Sequence, residues 1–279
     1  MILVTGATGT IGSELVRQLV GKDEPVRACI HVRPLDIDGV QTCKIDFDEP
    51  ETLPPALEGV DTLFLLSQEV VHEKPMVDAA IEAGVQRVVK VSSFNAETDT
   101  FIVGQHHREI EQHIQESDMT WTFLRPNYQM QNFVTIMGDE IRNEDAFYDS
   151  IGDARVSHID ARDVSQVAAR VLTESGHENR AYELSGPEAL THHQVADELS
   201  SALGRRIQYV ELDDERYRQR LLSQGVPEEF AGYLVDVNRR NRNGETDDHI
   251  ITDSVRNILG REPTSFSQFC KDYAPQLGG

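Results

Sequence analysis

The chain has 279 residues, 39% of them hydrophobic, and its 48 acidic and 26 basic residues leave a formal net charge of −22. That field repels nucleic acid and anionic membrane surfaces, and no apolar run approaches the length of a membrane span, so neither is an expected partner. Three cysteines, Cys29, Cys43 and Cys270, are odd in number and irregularly spaced, which predicts reduced thiols in a cytoplasmic protein and not a disulfide framework or a metal site.

The opening "MILVTG" already reads as strand, so no signal peptide is expected ahead of it. After Gly12, Ile11, Leu15 and Leu19 at spacing four predict a one-faced helix. Pro25 to Val32 reads as a second strand, Thr42 to Asp46 as a third and "DTLFLLS" (Asp61 to Ser67) as a buried fourth. Pro75 to Gly84 has Pro at a helix start and Gly at its end, and "RVVKVS" from Arg87 is the fifth strand. A helix over Gln105 to Ser117 and a strand over Thr120 to Leu124 complete an alternation that predicts an α/β, doubly wound parallel sheet. Beyond it, Val156 to Ile159 reads as a strand, Ala161 to Leu172 as a helix and Tyr182 to Leu184 as a strand. Helices near 191–203, 213–224 and 228–240, with a short strand at 207–210, make a smaller, mostly helical carboxyl-terminal lobe. The expected domains are 1–186 and 187–279, with 127–153 contributing to a pocket at the sheet's carboxyl edge.

The stretch "VTGATGTIG" carries Gly6, Gly9 and Gly12 between a strand and a helix, the setting in which such a triplet cradles a dinucleotide's phosphates. Gly6 allows the turn, Gly9 a close backbone approach to the pyrophosphate, and Gly12 tight helix packing. Thr8, Thr10 and Ile11 complete the loop, and the helix amino terminus adds free N–H groups and positive dipole. Arg33 stands near the end of the second strand, where an NAD site usually has Asp or Glu. This favours NADPH as cofactor over NADH.

With this loop in place, further segments carry a resemblance. "VRACIHVRPL", "IDFDEPETLPPALEGVDTLFLLS", "RVVKVSS", "HREIEQHIQESDMTWTFLRPNYQMQNF", "YELSGPEALTHHQVADELSSALGR" and "REPTSFSQF" resemble NmrA-like atypical short-chain dehydrogenases. That group includes NADPH quinone reductases and redox-sensing regulators. The resemblance implies that Asp46 and Phe47 flank the adenine and that Leu66 and Ser67 border the ribose and pyrophosphate. It also implies that Ser92 and Ser93 lie beneath the nicotinamide, and that Pro126, Asn127 and Tyr128 line the nicotinamide face and the substrate pocket.

Classical short-chain dehydrogenases carry Tyr-x-x-x-Lys after the fifth strand. Counting back from "FLRP" to Glu111 puts the lysine position at His107 and the tyrosine position at Val103, so the usual proton donor is missing. His107, Tyr128 and Ser93 are the remaining catalytic candidates, with His107 also able to bind the nicotinamide ribose. His192-His193 reads as the solvated first turn of a helix, and Phe230, Tyr233 and Leu234 as a stripe that either packs in the core or faces the pocket. An alkoxide product needs an acid, whereas a quinone accepts hydride to give a far more stable anion. The expected function is therefore an NADPH-dependent oxidoreductase acting on a quinone or a similar activated conjugated carbonyl. A non-catalytic NADP(H) sensor is the alternative, and an isomerase or epimerase with a tightly held cofactor the weaker one. The expected partner is a small-molecule acceptor, and a homodimer is left open.

Overall fold

The computed structural model describes residues 1–47, 49–67, 69–94, 96–98 and 102–278. Their strands, in chain order, are β1 (Ile2–Val4), β2 (Val26–Ile30), β3 (Gln41–Lys44), β4 (Thr62–Leu65), β5 (Arg87–Val91), β6 (Thr120–Pro126), β7 (Ala146–Asp149), β8 (Arg180–Leu184) and β9 (Gln208–Glu211). The chain divides into two compact units. One comprises Met1–Pro126, Ala161–Leu184 and Ser254–Gly260; the other comprises Asn127–Asp160, Ser185–Asp253 and Arg261–Gly279.

Among the described residues the first unit holds a seven-stranded sheet in the order β3-β2-β1-β4-β5-β6-β8, and every adjacent pair is parallel. Parallel strands need helical crossovers, which cover the sheet and explain its nearly continuous apolar runs. Leu3, Leu63, Leu65, Val88 and Phe123 form one core with Met76, Val77 and Ala80 of the Glu73–Glu82 helix and Ile110 and Ile114 of the Ile102–Gln115 helix. Each such side chain contributes roughly 1.5–3 kcal/mol by leaving water. The Thr10–Val20 helix buries Ile11, Leu15, Val16 and Leu19, the face its spacing predicts. Ser165 of the Ala161–Thr173 helix donates to the Ile11 carbonyl at 3.0 Å and so pins that helix's first turn.

The second unit contains the parallel pair β7–β9, with Phe133, Phe147, Leu199, Phe266, Phe269 and Leu277 in its core. Its His192–Leu203 helix opens on a capping box between Thr191 and Gln194. Three features depart from the sequence reading. Val156 to Ile159 is not a strand but makes only isolated bridges, Val156 to Leu190 and Ile159 to Gln129. β7, at Ala146–Asp149, is not among the strands expected from the sequence. The Phe266–Leu277 helix contains Pro275, a sequence breaker, but Pro275 lies in the last turn, and Ser265 caps the start by accepting from Gln268 N–H at 3.2 Å.

Gly12 is packed against its own loop. A Cβ there would lie 2.2 Å from the Gly6 carbonyl oxygen and 2.9 Å from the Ala7 Cα. Gly12→Ala gains about 1 kcal/mol of helix propensity, which the overpacking outweighs because backbone atoms cannot swing aside. The expected net loss is about 2 kcal/mol or more by urea denaturation; an unchanged midpoint would contradict this packing.

Candidate functional site

From β1 the strands step outward to β3, and the chain then returns to β4 on the other side of β1, so β1 and β4 meet at a topological switch point. Their carboxyl ends are joined by Thr5, whose hydroxyl donates to the Leu66 carbonyl at 2.9 Å and accepts from Leu66 N–H at 2.8 Å. Gly6 sits directly above with φ +62°, and a Cβ on it would lie 2.7 Å from Leu66 O. Both conditions demand glycine. Gly9 is less constrained: its Cβ would meet only Gly6 O, at a tight 3.3 Å.

Gly9 is also the N-cap of the Thr10–Val20 helix, with no side-chain cap and no acidic residue in the first turn. Uncapped N–H groups and the helix dipole at a residue with no side chain fit an anionic phosphate. Thr8 is half-buried and Thr10 exposed, while Ile11 turns its side chain into the core and has only backbone to offer. A second sign of fit lies at the end of β5. The Ser92 hydroxyl is buried without a hydrogen-bond partner among the described residues, as expected of a group whose partner is a bound ligand.

Beyond β2 and β3 the surface is polar. Arg33 is exposed, and no hydrogen bond or ion pair engages it among the described residues. His31 Nε2 meets Asp46 Oδ2 at 3.0 Å. Thr52 holds the Asp46 backbone, accepting from its N–H and donating to its carbonyl, each at 2.9 Å. Phe47 stacks on His72 with centroids 5.5 Å apart and also packs on the core.

A buried charged chain runs from β4 to the Ile102–Gln115 helix. Ser67 donates to Glu73 at 3.2 Å, Glu73 pairs with Lys90 of β5, and Lys90 Nζ donates to His107 Nδ1 at 3.1 Å. Lys90 and Glu73 are both fully buried. Burial raises the Glu73 carboxyl against the opposing pull of Lys90 and Ser67. Burial, then Lys90, then His106 hold His107 well below the ordinary histidine range. His107 is therefore neutral, and because Nδ1 accepts from an ammonium its proton sits on Nε2. The Ser93 hydroxyl makes a long 3.5 Å contact to the Phe94 carbonyl.

Pro126 ends β6, and its carbonyl accepts from Phe94 N–H at 3.3 Å. In the second unit Asn127 is engaged structurally. Its amide donates to Ser157 Oγ at 2.9 Å and the Asp248 carbonyl at 2.8 Å, and its oxygen accepts from Tyr128 N–H at 2.8 Å. Burial, helped by Asp248, pushes the Tyr128 hydroxyl well above the ordinary tyrosine range. His192 corrects the sequence reading: it is buried, not solvated, and its Nδ1 lies 2.9 Å from Asp149 Oδ2. Phe230 is half exposed and stacks on Tyr233 at 5.7 Å, while Leu234 packs against the Tyr217–Leu221–Ala231 cluster.

Sequence reasoning passed over Lys90, Glu73 and His31. The signal for Lys90 was available: a lysine inside "RVVKVS", a run otherwise apolar, requires a buried partner.

Comparisons with known proteins agree with this geometry. The NmrA-like family matches residues 1–270. The chain is 38% identical to the NAD(P)H azoreductase of Xenophilus azovorans, covering 100% of this chain and 99% of that one. It superposes on the NADPH-dependent quinone oxidoreductase of Escherichia coli, complexed with NADPH, with a TM-score of 0.84 at 27% identity, covering 98% and 99% of the two chains. The triphenylmethane reductase of Citrobacter sp. complexed with NADP(H) gives a TM-score of 0.85 at 25% identity with the same coverage. The chain belongs to the NmrA-like family.

Proposed function

We propose that this NAD(P)H-dependent oxidoreductase uses NADPH to reduce quinones and similarly electron-poor conjugated acceptors. Bound NADPH would supply a hydride from its nicotinamide ring. In this reading Gly6, Thr8, Gly9, Thr10, Ile11 and Gly12 hold the pyrophosphate, and Arg33 holds the 2′-phosphate. Asp46 and Phe47 border the adenine, while Leu66, Ser67, Ser92 and Pro126 border the rest.

One observation carries the choice of acceptor. In this reading Val103 stands where a ketone reductase has its tyrosine, and His107 one turn later is held well below the ordinary histidine range by burial and by Lys90. Its Nε2–H can donate a hydrogen bond to a ribose or an acceptor oxygen, but a neutral imidazole is a poor proton source. Tyr128, with its pKa pushed up by burial, is poor for the same reason. Ser93 can only donate a hydrogen bond. A protein with these groups suits an acceptor that stabilises its own negative charge.

The test is NADPH consumption by the purified chain against benzoquinones, activated enones, an azo dye and a triphenylmethane dye. Saturable turnover with one class is expected; tight NADPH binding without turnover across the panel would favour an NADP(H) sensor instead. Arg33→Ala should weaken NADPH about 10- to 100-fold, the worth of a charge-assisted hydrogen bond, and leave NADH within about two-fold. Equal loss for both would remove Arg33 from the phosphate site. His107 should show no NMR titration in the ordinary histidine range. In the double variant Glu73→Gln/Lys90→Met, which removes the cation without stranding a buried carboxylate, its titration should move upward, while burial still holds it below the ordinary histidine range. An unchanged His107 titration in the double variant would contradict the Lys90 contact.

A further inference from the structure

β3 is an edge strand of the first unit's sheet, and Cys43 on it is the register partner of Cys29 on β2. Partner residues of parallel strands present their side chains on the same face. Both sulfurs lie against the same core, 3.6 Å apart, which is van der Waals contact. Their surroundings differ. Cys29 is buried, whereas Cys43 is half-buried on a strand whose other three residues are exposed. The contact with Cys29 lowers the Cys43 pKa, while the same contact and burial push Cys29 well above the ordinary thiol range. Cys43 is thus the more accessible and the more readily ionised of the two. The remaining cysteine, Cys270, is buried in the core of the second unit, where burial pushes it up to about 12. Neither Cys29 nor Cys43 has a part in the proposed reduction.

We propose that Cys29 and Cys43 are an oxidation site at which a hydroperoxide converts the two thiols into a reversible intramolecular disulfide. The Cys43 thiolate attacks one peroxide oxygen, and the O–O bond breaks. Hydroxide leaves, takes up the proton that Cys43 had released, and becomes water; Cys43 is now a sulfenic acid. The Cys29 sulfur then attacks the Cys43 sulfur, the S–O bond breaks, the S–S bond forms, and the departing hydroxyl leaves as a second water with the Cys29 proton. Two thiols and one hydrogen peroxide thus give one disulfide and two waters. The burial of Cys29 does not obstruct this sequence, because only Cys43 has to meet the oxidant. Closure requires β3 to shift, and as an edge strand it is held by a single ladder. A bridge between adjacent strands is strained, and strain makes a disulfide easier to reduce, which suits a reversible modification.

The test treats the full chain with hydrogen peroxide, alkylates remaining thiols, digests without reductant and maps the peptides by mass spectrometry. The expected result is a Cys29–Cys43 cross-linked peptide, two hydrogens lighter than the thiol pair, released by dithiothreitol and retained in Cys270→Ser. Cys29→Ser should stop at a sulfenic acid trapped by dimedone, while Cys43→Ser should slow peroxide consumption about ten-fold or more. Cys29 and Cys43 alkylated separately after peroxide, or cross-links found only to Cys270 or to a second chain, would overturn the proposal. The wild-type map decides the matter even if a variant fails to fold.

Discussion

Thr5 has a fully buried hydroxyl that accepts from the Leu66 N–H and donates to its carbonyl, so one side chain laces together the ends of β1 and β4. A succession of close approaches is built on that lacing. Gly6 lies against Leu66 O, Gly12 lies against Gly6 O, and Gly12 belongs to the first turn of the Thr10–Val20 helix. Each contact is between backbone atoms with no room for a Cβ, so the direction of the helix amino terminus is fixed by the strand ends. Without the hydroxyl, two buried backbone groups of Leu66 would lose a partner, at about 1–3 kcal/mol each. The amino-terminal end of the helix is therefore tied directly to the strand ends of the sheet.

The second constraint is electrostatic. A fully buried lysine is tolerated only if its charge is matched, and Glu73 matches it at the end of a crossover helix. Such a pair contributes little net stability, because desolvation offsets most of the attraction, but removing one partner is severe, at about 3–5 kcal/mol. The useful product of the arrangement is direction. Lys90 points its remaining hydrogen-bonding capacity at Val91 O and at His107 Nδ1, and the imidazole has one tautomer as a result. A site that lacks the tyrosine of its classical counterparts nonetheless has a histidine of defined polarity.

Much of this was legible in the residues. The strand–glycine–helix order of "VTGATGTIG" located β1, its turn and the Thr10–Val20 helix, and the alternation up to "FLRP" located the parallel sheet, because both signals are local and periodic. The Lys90–Glu73 pair was not legible as a pair, because its members lie 17 positions apart on elements whose approach only the sheet order decides. The solvated reading of His192 failed for a related reason. The first turn of a helix is usually wet, but here a partner from β7, Asp149, lies within 2.9 Å. β7 was not among the strands read from the sequence, and Val156 to Ile159 imitated a strand because two isolated bridges need the same extended backbone as a ladder does.

The division of the chain bears on how the molecule is made. Each compact unit is assembled from three separate segments, and residues 127–160 of the second precede residues 161–184 and 254–260 of the first. Neither unit can be complete on a ribosome until nearly the whole chain has emerged, and β8 must join β6 across an intervening piece of the other unit. Folding is therefore governed by contacts distant in sequence, which are slow to form and leave the edge of β6 open in the meantime. A fragment ending at residue 126 would hold part of the first unit alone, one ending at residue 184 would hold parts of both, and neither would contain a complete unit.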